Sequence, residues 1–204
     1  MEATERNSQT ISSKGLPLRS RLESMINSSP SPTLKQGWRR RLEYFVDRVP
    51  PTNKIMIVGI GHPLKSDDYV GSLIAKDLML NSGDEKVIVL DAEQSPENIL
   101  GKLQEERPGL LILIDSLDMG SAPGTIGLFD LDSVSDTFYA THNIPIRLIL
   151  DALSDPPTSI VLGIQPGKLG VGGHLSEQVK IARMSTVKEL RSIIRRLRGD
   201  LDAR

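Results

Sequence analysis

Three short polar stretches carry the side chains that could do chemistry: Asp67-Asp68, Asp115, and Thr141-His142-Asn143. The acid pair follows an apolar run and a glycine turn, Asp115 closes another apolar run, and His142 stands just ahead of Ile144-Pro145, where a helix can begin. Two carboxylates and an imidazole from separate loops make an oxygen and nitrogen donor set for a divalent metal, with positions left for water or substrate. The same residues also fit plain structural roles. An Asp at a helix start is commonly a cap, and a lone loop His is commonly solvated or bonded to backbone.

Composition narrows the chemistry further. The chain has 204 residues and no cysteine, so disulfides, thiolate metal sites and cysteine nucleophiles are excluded. That length suits one α/β domain plus a tail. A net charge of -1 with 25% charged residues marks neither an acidic disordered chain nor a nucleic-acid binder. No apolar run approaches the roughly 18 to 20 residues of a membrane span, and the N-terminus lacks a signal-peptide core. The expected protein is cytoplasmic, without membrane or nucleic-acid partners, and monomeric.

The elements that must position these side chains follow from periodicity. Residues 1–32 are rich in Ser, Asn and Pro, and residues 1–50 carry nine Lys/Arg against five Asp/Glu, so a basic, disordered extension is expected over 1–32. Leu34, Trp38, Leu42, Phe45 and Val46 then recur at helical spacing, predicting a leading helix over 33–49 that packs on the domain and stops at Pro50-Pro51. Lys54 to Gly59, Val87 to Leu90, Leu110 to Ile114 and Ile160 to Ile164 read as buried strands. Helical stripes alternate with them: Val70 to Leu80 behind the acid pair, a segment opened by Ser95-Pro96, Pro145 to Leu153, and a closing helix from Ser176 to Leu197. Thr125 to Phe129, after the Pro123-Gly124 turn, reads as an antiparallel edge strand. The predicted fold is a single three-layer α/β domain over residues 33–204, a mostly parallel twisted sheet flanked by helices, as in phosphorylase/hydrolase-like domains. In such sheets ligands sit beyond the carboxyl ends of the strands, where the three polar stretches fall.

The wording of the loops carries more than their spacing. Gly59-Ile60-Gly61-His62-Pro63-Leu64-Lys65-Ser66-Asp67-Asp68-Tyr69-Val70-Gly71 resembles the Gly-x-Gly-Asn-x-Leu-x-x-Asp-Asp/Glu-x-x-Gly opening of the hydrogenase maturation endopeptidases. Ile114 to Gly120 is similar to that family's second acidic loop, Thr141 to Pro145 to its Thr-His-x-x-Pro segment, and Leu162 to Pro166 to a strand end of its formate-hydrogenlyase and archaeal branch. The resemblance implies an endopeptidase that removes the C-terminal peptide of a NiFe hydrogenase large-subunit precursor. It implies Asp68, Asp115 and His142 as the metal-contacting set, with Asp68 and Asp115 as the catalytic carboxylates, and nickel as a cofactor presented by the precursor.

Four features depart from the pattern or lie outside it. His62 replaces the family's Asn and reads as a turn residue, or alternatively as a fourth ligand. Tyr69 replaces a glycine and would narrow the cleft, offer a hydroxyl, or pack over the loop. The glycine-rich stretch 167–174 reads as a flap or as a plain surface loop. The N-terminal extension has no counterpart in the resemblance. Two other functions fit parts of the sequence: a non-catalytic hydrogenase assembly chaperone, and a nucleotide- or methyl-donor-binding domain of Rossmann type. The latter lacks the third glycine of its fingerprint, where Leu64 stands.

Overall fold

Five apolar segments pair into one sheet in the order β2-β1-β3-β5-β4, where β1 is Ile55–Ile60, β2 Val87–Glu93, β3 Leu110–Ser116, β4 Ile126–Asp130 and β5 Thr158–Ile164. The computed structural model describes residues 34–80, 86–131, 134 and 143–199. The expected disordered extension over 1–32 therefore lies outside the described residues, as do Thr141 and His142.

β1 pairs in parallel with β2 on one side and β3 on the other, β5 continues the parallel set, and β4 runs antiparallel along β5 as the second edge. This is the mostly parallel sheet with one antiparallel edge predicted from the sequence. β1 and β3 are central and buried on both faces, which is why Ile-Met-Ile-Val and Leu-Leu-Ile-Leu-Ile show no apolar–polar alternation. Their alternate residues feed two separate cores. Ile55, Ile57, Ile112 and Ile114 face a cluster completed by α1 (Leu34–Val46), α2 (Val70–Met79) and α5 (Glu177–Arg198). Met56, Val58, Leu111 and Leu113 face a second cluster completed by Leu103 of α3 (Leu100–Glu106) and by Ile146, Ile149 and Leu150 of α4 (Asn143–Asp151).

The leading helix is shorter than predicted, ending at Val46, and packs on the domain through Trp38, Leu42 and Val46. At its flank Arg41 donates to the Leu128 carbonyl at 2.9 Å, tying it to the edge strand. The closing helix buries Val179, Ala182, Val187, Leu190 and Ile194, a stripe at helical spacing, and stops at Gly199 in the left-handed conformation (φ 75°). Arg183 clamps α5 to α2 through a two-pronged contact with Asp77, 2.8 Å at each nitrogen.

Two helix starts differ from the sequence reading. The segment after Ser95 begins as a tight 3-10 turn, Pro96–Ile99, and Ser95 makes no side-chain cap; proline does hold the first helical position. The acid pair likewise sits in a 3-10 turn, Ser66–Tyr69, ahead of α2, rather than capping the helix itself. Between β1 and β3 the chain reverses direction across the sheet, β2 lying to one side and β3 and β5 to the other. That reversal opens a crevice beyond the ends of β1 and β3.

Candidate active site

Glycines let the loop after β1 close over this crevice. A Cβ on Gly71 would stand 2.0 Å from the Ile114 carbonyl oxygen and 2.4 Å from that of Ile60, so α2 rests directly on the ends of β1 and β3. A Cβ on Gly61 would meet the Asp68 carbonyl oxygen at 2.2 Å, so the loop 61–69 folds tightly back on itself. His62 shapes that fold. Its Nδ1 accepts the Leu64 N–H at 3.1 Å, as an Asn oxygen does in an Asx turn, and its carbonyl accepts the Lys65 N–H at 3.0 Å. Nδ1 is thus engaged by the backbone of the turn. His62 is a turn residue. His62→Asn is therefore expected to keep the melting temperature close to that of wild type; loss of metal affinity in that variant would make His62 a ligand.

The two acids of the pair have separate surroundings. Asp67 is fully buried, and its oxygens accept the N–H groups of Gly167 (2.8 Å), Lys168 (2.8 Å) and Ser176 (2.6 Å) and the Ser176 hydroxyl (2.9 Å). A buried carboxylate is tolerated when donors surround it, and these four consume its acceptor capacity. Asp67 thus anchors the 167–176 segment, and Ser176 spends its hydroxyl on that anchor instead of capping its own helix. The glycine-rich stretch is accordingly a strap. Ser66 reinforces it, its N–H donating to the Gly172 carbonyl at 2.7 Å and its hydroxyl contacting the Gly170 and Gly172 carbonyls at 2.9 Å. Asp67→Ala strands buried donors and is expected to cost about 2 to 4 kcal/mol and to open 167–176 to proteolysis, measured by thermal melts and limited digestion.

Asp68 has a different freedom. Its Oδ2 accepts the His62 N–H at 3.1 Å, while its Oδ1 accepts no hydrogen bond among the described residues, although the residue is only 9% exposed. Asp115 is the penultimate residue of β3, is 2% exposed, and accepts the N–H of Ser116 at 2.7 Å. It has the strand parity of Leu111 and Leu113, whose face is covered by α4, and α4 begins at Asn143, one residue after His142. The fold thus brings the loop of Asp68 and the β3 residue Asp115 to adjoining strand ends, where Gly59 pairs with Ile114 in register. His142 lies outside the described residues. Among the described residues no group of three His, Cys, Asp or Glu side chains could hold a metal ion.

Two further side chains brace the crevice. Gln165, at the end of β5, accepts the N–H groups of Met119 (2.7 Å) and Ser121 (3.1 Å) and donates to Asp118 at 3.1 Å, so one buried amide fixes the second acidic loop. The Gly120 N–H and the Gln165 amide hold the Asp118 carboxyl below its usual range. A depressed carboxyl contributes its stability above the ordinary Asp range and loses it as pH falls through the lowered value, so this brace weakens only in acid. At the other wall, the Lys76 ammonium donates to the Tyr69 hydroxyl oxygen and also pairs with Asp91 at 3.1 Å; the Tyr69 contact, then Asp91, holds Lys76 above the ordinary ammonium range.

With this geometry in view, the family comparison is decisive: the model of the hydrogenase maturation protease family matches residues 73–193. The chain belongs to the hydrogenase maturation protease family. The matched span includes Asp115 and His142 and begins just after the loop of Asp68. The hydrogenase 3 maturation protease of Escherichia coli K12 is 30% identical over 129 residues, 62% of this chain and 82% of that protein. An E. coli endopeptidase of the same family, with a solution structure, shares 29% identity with a TM-score of 0.58, covering 66% of this chain and 87% of its own. A NiFe hydrogenase maturation protease from Thermococcus kodakarensis shares the fold, with a TM-score of 0.66 at 24% identity over 76% of this chain and 99% of that one. Family membership makes the chain a hydrolase of the endopeptidase class. The dinucleotide-binding alternative loses ground on geometry as well, because the His62 N–H that would face a phosphate after the second glycine is taken by Asp68. Among the described residues no helix is long and apolar enough to cross a membrane.

Proposed function

We propose that this chain is a nickel-dependent endopeptidase that removes the C-terminal peptide of a NiFe hydrogenase large-subunit precursor. One observation carries this reading within the family: two buried carboxylates, Asp68 in the turn after β1 and Asp115 near the end of β3, stand at the reversal point of the sheet, and among the described residues Asp68 keeps one oxygen unengaged. Carboxylate oxygens with an imidazole suit a divalent ion such as nickel, and such a set leaves positions that the precursor's own groups would fill. Asp68, Asp115 and His142 are the residues assigned to that contact, the nickel arriving as part of the substrate.

Hydrolysis of a peptide bond requires water to lose a proton as it attacks the carbonyl and the departing amine to gain one. Asp68 can receive the first proton at Oδ1 and return it to the amine, so the proton count closes on one carboxylate. Nickel near the scissile bond would supply carbonyl polarisation. The His62 N–H fixes the Asp68 head through Oδ2, leaving the reactive oxygen directed by a rigid turn. The test is to incubate the purified chain with nickel-loaded precursor and follow its mass. Loss of a C-terminal peptide supports the proposal; a stable complex with no mass change would identify an assembly chaperone instead.

A further inference from the structure

We infer that the outer edge of the 167–174 strap is the docking strand for an extended, apolar segment of the precursor that carries a carboxylate, an inference that rests on the endopeptidase reading. The strap forms a parallel bridge in which the Gly172 N–H donates to the Leu64 carbonyl at 3.0 Å and the Gly172 carbonyl accepts the Ser66 N–H at 2.7 Å. A trans peptide sets its N–H and C=O on opposite sides, so with both Gly172 groups turned inward the Val171 carbonyl and the Gly173 N–H face outward. Among the described residues these outward groups form no hydrogen bond. An open edge of this kind is what an added peptide strand pairs with.

Side chains give the edge its character. Leu64 is 64% exposed, Leu169 55% and Val171 89%, and they flank the bridge from both of its segments. The exposed charges beside them are all positive: Lys65 and Lys168, neither in an ion pair among the described residues. The nearest buried acid, Asp67, has spent its oxygens on the strap. An apolar strip bounded by unpaired ammonium groups is complementary to an apolar peptide with a carboxylate. Position selects the precursor as the source, because the strap is bonded to Ser66 and Asp67, the residues immediately before Asp68. A chain segment paired along it is delivered to that carboxylate's loop.

Hydrogen exchange reads the pairing directly. In Asp68→Asn protein bound to nickel-loaded precursor, the Gly173 amide is expected to exchange about tenfold or more slowly than in the free protein, since a strand bond must open first. In the wild-type background, Leu169→Ser with Val171→Ser, and separately Lys65→Gln with Lys168→Gln, are each expected to raise KM about tenfold while leaving kcat and the melting temperature unchanged. All four side chains are exposed, so their loss does not disturb the core. Unchanged amide exchange with precursor bound, or unchanged KM in both double variants, would overturn the docking strand and leave the endopeptidase reading standing. Protection of the same amide by self-association without precursor would assign the edge to a second copy of this chain and overturn it too. Failure of wild-type protein to bind or cut the precursor would instead bring down the endopeptidase reading, and this inference with it.

Discussion

Gly71→Ala is expected to remove much of the fold's stability, although it adds a single methyl group. That methyl would sit 2.0 Å from the Ile114 carbonyl oxygen and 2.4 Å from the Ile60 carbonyl oxygen, both backbone atoms of central strands that no rotamer change can move. Gly59 is the other half of this contact, since its own Cβ would meet the Gly71 carbonyl oxygen at 2.2 Å. Relief requires α2 to lift from the sheet, opening the core around Ile74 and Leu78. Overpacking of this severity is expected to cost more than about 4 kcal/mol, against a total stability of order 5 to 15. Far-ultraviolet circular dichroism and a thermal melt check it. The matched control is Gly101→Ala in α3, where a Cβ meets nothing within 4 Å. That variant is expected to gain about 0.4 to 1 kcal/mol, because alanine loses less backbone entropy in a helix.

Asp68→Asn and Asp115→Asn are expected to lower the rate of precursor cleavage by about a hundredfold to ten-thousandfold each, with melting temperatures close to wild type. The amide isostere keeps an oxygen for the His62 N–H in the first case and for the Ser116 N–H in the second. Only the charge is removed, and with it the capacity to take a proton or engage a cation. Asp67→Asn provides the contrast within one acid pair: its damage is expected in stability and in protease resistance of 167–176, because that carboxylate holds backbone donors and no reactive oxygen. A cleavage defect in Asp67→Asn as large as that in Asp68→Asn, at unchanged stability, would reverse the two roles.

Much of this architecture was legible in the sequence because burial leaves a strong signature. Strands buried on both faces are written as uninterrupted apolar runs, and α5 as a stripe at helical spacing, so their type and order could be read directly. The edge strand was announced by the turn at Pro123-Gly124 and appears one residue later than read, at Ile126–Asp130. Local hydrogen bonding was less legible. Nothing around Asp67 shows that its partners lie about a hundred residues away, at Gly167, Lys168 and Ser176. An Asp before a helix and a Ser before another both look like caps, and here they bond each other instead. Gln165 belonged to a recognised motif, yet its role as a brace depends on Met119 and Ser121 folding under it. The His62 turn could be read, because His, like Asn, places an acceptor where the second following N–H can reach it. Of the three residues assigned to the metal, Asp68 and Asp115 fall at adjoining strand ends, while His142 lies outside the described residues.

The most direct measurement is a four-way comparison: large-subunit precursor with and without nickel, each incubated with wild-type and with Asp68→Asn protein, and the products weighed by mass spectrometry. The predicted result is release of the C-terminal peptide only where wild-type protein meets nickel-loaded precursor. Equal cleavage in all four mixtures would show that neither the metal nor the Asp68 carboxylate governs the reaction.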